Sequence, residues 1–496
     1  MPNESVPIIA VSLRPNVRVF AESTESLVIR TAGREMRLTN IEPGQRDLLL
    51  RLADGPIRWH LGPAGATEEA GASATESEFA DLTRRRLVGL SCSVEERALM
   101  TAVPTGGPAR FGVGIPRPDC RLKLSRFAYV RSRADRLVVE LPHRFLRLEP
   151  VAPEALALIA VIAGGASLSG LTAQSPPAVS ARAEAIAQFL AICGAIDVAG
   201  EDGIFGPDAD GMIATREFHD VAFHAMSRSG FADGPVGGAF PFAGSIPPAA
   251  AVKSIASDVR IALDDVDISD VISRDRPLGV VMEERRSIRH YGSGVITLKQ
   301  VSEFLYRVAR VRRVIPADPA RPTSYETSNR TYPSGGATYD LEIYVTFRDC
   351  VGVEPGVYHY DPVSHSLSLV SAGISDVTVL IERARRATGQ PRGAPVLVTL
   401  ASRFSRLSWK YRAIAYATTL KNVGVLYEAM YLAATAMGLA PCALGSGDSA
   451  IFSRITGLDP LVESSVGEFV LGLPAEPAVA RGVCDRRESL VSQVPA

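Results

Sequence analysis

The sequence predicts a chain of mixed helix and strand built in modules: two small winged-helix-like units, a connector and a larger C-terminal domain. Three observations carry this. The stretch Leu27 to Gly55 recurs as Leu137 to Gly165, a glycine- and proline-rich segment interrupts the chain after Gly200, and from Gly279 helix- and strand-like patterns alternate to near Pro474. At 496 residues there is room for roughly three domains.

The repeat aligns without a gap. Leu27 pairs with Leu137, Val28 with Val138, Arg37 with Arg147, Leu38 with Leu148, Pro43 with Pro153 and Gly55 with Gly165. Each copy reads as a short β-branched strand, a second strand, and a helix that opens on proline and stops at glycine. A further helical stretch follows each, ESEFADLTRRRLVGL in the first and ARAEAIAQFLAICGAIDV in the second. Strands with two or three helices in so short a span describe a small winged helix, expected over 1–110 and again over 111–200. Such a module can be packing alone, or can bind a peptide along an exposed strand edge. Residues 201–278, with SRSGFADGPVGGAFPFAGSIPPAAAV, read as a connector, and 279–496 as the third module.

Composition excludes several classes. A net charge of −1 leaves no basic excess for nucleic acid or an anionic membrane. The longest apolar run, ALALIAVIAGGA from Ala155, falls short of the roughly 18 residues a spanning helix needs. The N-terminus lacks a basic segment followed by an apolar core, so no signal peptide is expected. Six scattered cysteines without a Cys-x-x-Cys fit a reducing cytoplasm and give no metal site. His219 and His224, five apart, miss the four-residue spacing of a helical zinc pair.

The third module carries the chemistry. Arg285, Arg286, Ser287 and Arg289 stand in EERRSIRHYG, where forked guanidiniums and a hydroxyl can hold a phosphate. Pro333, Ser334, Gly335 and Gly336 form a tight turn ahead of the strand LEIYVTF, and glycines there let backbone amides approach a flat ligand. A buried strand, Val396 to Ala401, leads through Lys410 and Tyr411 into a long helix that ends at Gly438. Leu420, Val423, Leu426, Tyr427, Met430, Tyr431 and Ala434 follow helical spacing along it. A second glycine turn, APCALGSGD, holds Leu444, Gly445 and Ser446, and the strand SSVGEFVLGLP closes the module.

This ordered set, Arg-Arg-Ser-x-Arg, Pro-Ser-Gly-Gly, Lys-Tyr before a long helix, then Gly-Leu-x-x-Cys-x-x-Gly, resembles the nitroreductase-like flavoproteins over about Gly279 to Pro474. More narrowly it resembles the SagB-type dehydrogenases of thiazole/oxazole-modified peptide biosynthesis, which include the cyanobactin oxidases. The paired N-terminal modules resemble those of the longer members, where they are likened to leader-peptide recognition elements. Asp340 departs from the family pattern, which has a neutral residue there.

The resemblance implies an α+β fold with FMN at the interface of a homodimer. Arg285, Arg286, Ser287 and Arg289 would hold the ribityl phosphate. Ser334, Gly335 and Gly336, after Pro333, would approach the isoalloxazine from the partner subunit, and Leu444, Gly445 and Ser446 would lie against the ring. It implies oxidation of a thiazoline or oxazoline in a precursor peptide to the aromatic azole, with a cyclodehydratase as partner and dioxygen as electron acceptor. The flavin takes the hydride and the protein supplies the base. Lys410 is the expected base once desolvation lowers its pKa, with Tyr411 bonding the ring heteroatom or relaying the proton. Two other functions fit the sequence: a nitro- or quinone-reductase taking hydride from NAD(P)H, and a peptide-binding scaffold subunit of a synthetase complex.

Overall fold

The computed structural model describes residues 8–475 except 15–16, 24–25, 32–33, 59–80, 95–96, 107–108, 110, 112–116, 118, 134, 175–176 and 229–236. The chain forms two compact units, Met1–Pro235 and Val236–Ala496.

The first unit repeats its elements at the spacing of the sequence repeat. The first copy contains β1 (Ile8–Leu13), β2 (Arg18–Ala21), β3 (Ser26–Thr31), β4 (Arg34–Thr39), α1 (Pro43–Asp54), β5 (Ile57–Arg58) and β6 (Val88–Val94). A linking strand, β7 (Arg97–Pro104), follows. The second copy contains β8 (Arg121–Leu124), β9 (Tyr129–Arg133), β10 (Arg136–Leu141), β11 (Leu146–Pro150), α2 (Pro153–Ala163), β12 (Ala166–Ser167), α3 (Pro177–Ile192) and β13 (Ile196–Val198). Strand order matches: β2-β3-β4 and β5-β1-β6 in the first copy, β9-β10-β11 and β12-β8-β13 in the second.

The physical causes are those in the sequence. Pro43 and Pro153 open α1 and α2, where a missing N–H costs nothing. Leu48, Leu49 and Leu52 face inward from α1, as Leu158, Ile159 and Ile162 do from α2. The β3–β4 hairpin pairs Val28 with Arg37, whereas β10–β11 pairs Glu140 with Arg147. Relative to the sequence repeat this is a two-residue shift, which keeps every side chain on its own face. The copies are not separate domains. β7 pairs with β6 on one side and β11 on the other, giving one sheet in the order β5-β1-β6-β7-β11-β10-β9. One core joins Leu27, Leu49 and Leu90 of the first copy to Leu148, Ile159 and Phe189 of the second.

The second unit begins within the stretch expected as a connector. It contains β14 (Gly237–Gly238), β15 (Arg260–Ala262), α4 (Leu278–Glu284), α5 (Leu298–Ala309), the hairpin of β16 (Val311–Ile315) and β17 (Thr327–Arg330), β18 (Leu341–Phe347), β19 (Gly356–Asp361), β20 (Ser366–Ser371), α6 (Ile374–Thr388), β21 (Val396–Arg403), β22 (Tyr411–Arg412), α7 (Ala415–Ala436), β23 (Ala440–Leu444), α8 (Ser449–Thr456) and β24 (Glu463–Gly472). Its central sheet runs β15-β20-β19-β18-β21-β24-β23, with antiparallel neighbours throughout. Both faces are covered, so β18 and β21 read as continuous apolar runs. Ile343, Val345, Val398 and Leu400 pack with Phe304 of α5 and Leu426 and Met430 of α7. Leu397 packs on Val377, Leu380 and Ile381 of α6, and Tyr344 packs on Phe452 of α8.

Residues 237–251 form a strap tied to this unit. β14 pairs with β22, Phe240 N–H donates to Lys410 O at 2.9 Å, and the Trp409 indole donates to Ile246 O at 2.6 Å. Three arginines hold its last carbonyls: Arg406 bonds Ala249 O at 2.5 Å, Arg403 bonds Ala250 O at 2.9 Å, and Arg330 bonds Ala251 O at 3.1 Å. Arg406 is buried and also donates to Thr338 O and Glu326 O. Burial, with Arg403 beside it, pulls its guanidinium down to about 10.

Candidate functional site

α7 is the spine along which the expected site residues are arranged. Ahead of its N-terminus, Trp409 is buried under the strap and Lys410 is half-buried. The Lys410 amine donates to the Tyr325 hydroxyl at 2.7 Å and to Gly336 O at 3.3 Å. Tyr325 in turn donates to Gly336 O at 2.7 Å. Three rings face the amine, with centroids 5.1 Å (Tyr325), 5.2 Å (Tyr411) and 5.9 Å (Phe240) away.

The Pro-Ser-Gly-Gly turn meets this cluster. Gly336 has φ +62°, and a Cβ there would collide with the Tyr411 hydroxyl and the Lys410 amine. A Cβ on Gly335 would collide with Thr418 of α7. Gly335 N–H donates to Asn422 Oδ1 at 3.0 Å, and Asn422 Nδ2 donates to Asp340 at 2.7 Å. Ser402 and Thr419 donate to the other Asp340 oxygen at 2.7 and 2.9 Å. The departure from the family pattern at Asp340 is therefore a fully buried carboxylate with three donors, locking the turn to β21 and α7. Ser334 Oγ accepts from Tyr339 N–H at 3.1 Å and holds the turn closed; Pro333 is exposed at its rim.

The arginine cluster lies elsewhere on α7. Ser287 Oγ is 2.7 Å from the Tyr431 hydroxyl, and the Arg285 guanidinium sits over the Tyr431 ring at 5.3 Å. Arg286 and Arg289 are exposed. Among the described residues none of these three guanidiniums has an ion-pair partner. Ala443 N–H donates to the Tyr431 hydroxyl at 2.8 Å, which brings the end of β23 to the same place. Leu444 and Ser446 line a cavity of about 290 Å³ with Arg383, Leu397, Phe452 and Glu468. Burial pushes the Glu468 carboxyl up. Gly445 is open on its Cβ side.

The structure thus brings Lys410 and Tyr411 together with Gly335 and Gly336, and Arg285 and Ser287 together with the start of the Leu444 turn. The two groups stand at opposite ends of α7: from Thr418 to Tyr431 is about 20 Å along the helix. Between them α7 exposes Leu420 and Val425. Sequence reading missed Phe240, Tyr325 and Asn422 as site residues, because each reaches the cluster across a long sequence separation. Tyr431 was visible only as one member of an apolar stripe.

Among the described residues no His, Cys, Asp and Glu group could hold a metal, and no helix is long and apolar enough to cross a membrane. Residues 282–473 match the nitroreductase family, and residues 122–233 match the family described as cyanobactin oxidase ThcOx. A nitroreductase-type protein of Methanocaldococcus jannaschii is 35% identical over 168 residues, covering 34% of this chain and 77% of that protein. The trifolitoxin-processing protein TfxB of Rhizobium leguminosarum bv. trifolii is 30% identical over 151 residues, covering 29% of this chain and 40% of that protein. A crystal structure of a Desulfovibrio desulfuricans nitroreductase-type protein in complex with FMN is 18% identical, with a TM-score of 0.28, covering 45% of this chain and 99% of that chain.

Proposed function

The chain belongs to the nitroreductase family, whose cofactor is FMN, and from that premise we propose that it is a SagB-type dehydrogenase that oxidises peptide thiazolines or oxazolines to thiazoles or oxazoles. The match of residues 122–233 to cyanobactin oxidase and the likeness to a trifolitoxin-processing protein support a peptide substrate. The observation that carries the reading is the convergence of Lys410, Tyr411 and Tyr325 on Gly336.

The residues present fit FMN. Arg285, Arg286 and Arg289, which have no ion-pair partners among the described residues, would take its phosphate with Ser287. The Pro333–Gly336 turn and Leu444–Ser446 would flank its ring. Because the two groups stand at opposite ends of α7, a site using both draws them from two copies, with the exposed Tyr416, Leu420 and Val425 between the subunits. Bound FMN supplies the two-electron acceptor.

The protein's part is proton handling. Azoline to azole removes two hydrogens; Lys410 takes one as a proton from the ring carbon, and Tyr411 bonds the ring heteroatom. A base must be neutral, so the amine has to give up its proton before it acts. Tyr325, half-buried with its hydroxyl on the amine, is the path by which the lysine proton reaches solvent. Dioxygen is the terminal acceptor, a cyclodehydratase supplies the azoline, and the N-terminal unit holds the precursor peptide.

The test is incubation of the FMN-loaded protein with an azoline-bearing peptide, read by mass spectrometry. Loss of two hydrogens per ring, abolished in Lys410→Ala with FMN retained, is expected. FMN-loaded protein that leaves azolines unchanged in air overturns the reading. The likeness to the Methanocaldococcus protein favours a second reading, a nitro- or quinone-reductase; rapid anaerobic bleaching of the flavin by NAD(P)H would select it.

A further inference from the structure

β23 is the last strand of the central sheet and pairs with β24 on one side only. An edge strand leaves a row of amides and carbonyls without a strand partner. On β23 other elements meet that row. Pro441, which has no N–H to satisfy, accepts from Ile288 N–H at 2.8 Å. Two residues on, Ala443 N–H donates to the Tyr431 hydroxyl at 2.8 Å. A tyrosine of α7 therefore stands where the carbonyl of a further strand would be, and the segment carrying Ser287 is laid along the same edge.

The Tyr431 hydroxyl has a second neighbour, Ser287 Oγ at 2.7 Å. An amide only donates, so the tyrosine oxygen is the acceptor of Ala443 N–H. The tyrosine proton is then directed at Ser287 Oγ, and the serine proton is left for a further acceptor. Each donation in such a chain strengthens the next. The result is one oriented row, Ala443 N–H to Tyr431 O–H to Ser287 O–H, ending in the segment that carries Arg285, Arg286 and Arg289. A serine free to rotate could equally turn a lone pair outward, which repels an anion. The tyrosine itself is fixed. It is 9% exposed, lies edge-to-face on the buried Phe469 at 5.2 Å, and has the Arg285 guanidinium over its ring at 5.3 Å. One side chain thus sets both the Ser287 hydroxyl and a seat for Arg285.

We propose that Tyr431 is a positioning residue of the phosphate site: its hydroxyl, held by Ala443 N–H, turns Ser287 into a donor for a phosphate monoester. The same hydroxyl ties that site to β23, the strand that runs into the Leu444–Ser446 turn. This role rests on the placement proposed above of the FMN phosphate at Arg285, Arg286, Ser287 and Arg289.

The probes are FMN and riboflavin, which has the same ring and no phosphate, each titrated into the full chain freed of flavin and followed by flavin fluorescence. Tyr431→Phe keeps the ring beneath Arg285 and removes only the hydroxyl. FMN should bind about tenfold more weakly to it, and about tenfold more weakly to Ser287→Ala. The double variant should lose little beyond either single one, because both break the same chain of bonds. Riboflavin affinity should be equal in all four proteins, which also shows that the variants are folded. Additive losses in the double variant overturn the proposal. Equal losses for riboflavin and FMN overturn it too, assigning Tyr431 to packing alone. If Ser287→Ala weakens FMN and Tyr431→Phe does not, the relay falls and the phosphate site stands. If neither variant alters FMN affinity, the phosphate lies elsewhere and both fall together.

Discussion

The Lys410 amine and the Tyr325 hydroxyl are 2.7 Å apart, although 85 residues separate them in sequence. If this bond drains the lysine proton, Tyr325→Phe keeps FMN and fold yet lowers azole formation at neutral pH by about 10²-fold. Measurement of kcat and KM beside FMN content checks this; turnover equal to wild type would leave Tyr325 a merely structural part.

A side chain at Gly336 is expected to push Lys410 and Tyr411 out of place. Its φ of +62° and the closeness of Lys410 and Tyr411 act together. Gly336→Ala should cost about 1–2 kcal/mol of stability, seen as a Tm lower by a few degrees, and should suppress azole formation far more. Thermal melts and turnover measured on one preparation test the pair; wild-type turnover would show that the amine does not work from this position.

Removing Arg286 or Arg289 should weaken FMN about tenfold each, since a charge-assisted bond contributes about 1.5–3 kcal/mol. Arg285→Ala should weaken it further by freeing Tyr431, over which the guanidinium lies. Fluorescence titration of the apoprotein with FMN gives the three affinities. FMN bound with unchanged affinity by the triple variant would place the phosphate elsewhere.

Glu342 anchors acid stability. Burial opposes its charge, yet Arg403 at 2.8 Å and His359 at 3.0 Å hold its carboxyl at about 2. The unfolded carboxyl binds a proton below about 4.5, so the stabilisation is whole above that pH and is lost as pH falls toward about 2. Glu342→Gln should therefore cost of order 3 kcal/mol at pH 7, with the gap to wild type closing between those pH values. Denaturant melts across that range measure it; a gap independent of pH would deny the ion pair its role.

Where signals were local, the sequence was readable. The repeat, the prolines opening α1 and α2, and the unbroken apolar runs of β18 and β21 each follow from neighbours a few residues apart. So does the pairing of Lys410 with the mouth of α7. The strap was not readable, because Gly237 to Ala251 is held by its own carbonyls and by arginines up to 157 residues away, and composition alone makes such a segment look like a linker. Asp340 read as an oddity for the same reason: Ser402, Thr419 and Asn422, which satisfy it, lie 62 to 82 residues downstream.

The strap also sets where this protein can be cut and recombined. A graft or expression fragment starting at Gly279, where the motifs begin, would strip Ile246 from Trp409 and take from Arg403 and Arg406 the strap carbonyls they bind. A buried guanidinium or indole N–H that loses an acceptor is costly, so such a fragment should be less stable and less soluble. One starting at Gly237 carries its own acceptors. The natural seam for exchanging the N-terminal unit therefore lies between the units, ahead of the strap, some forty residues upstream of the first flavin motif.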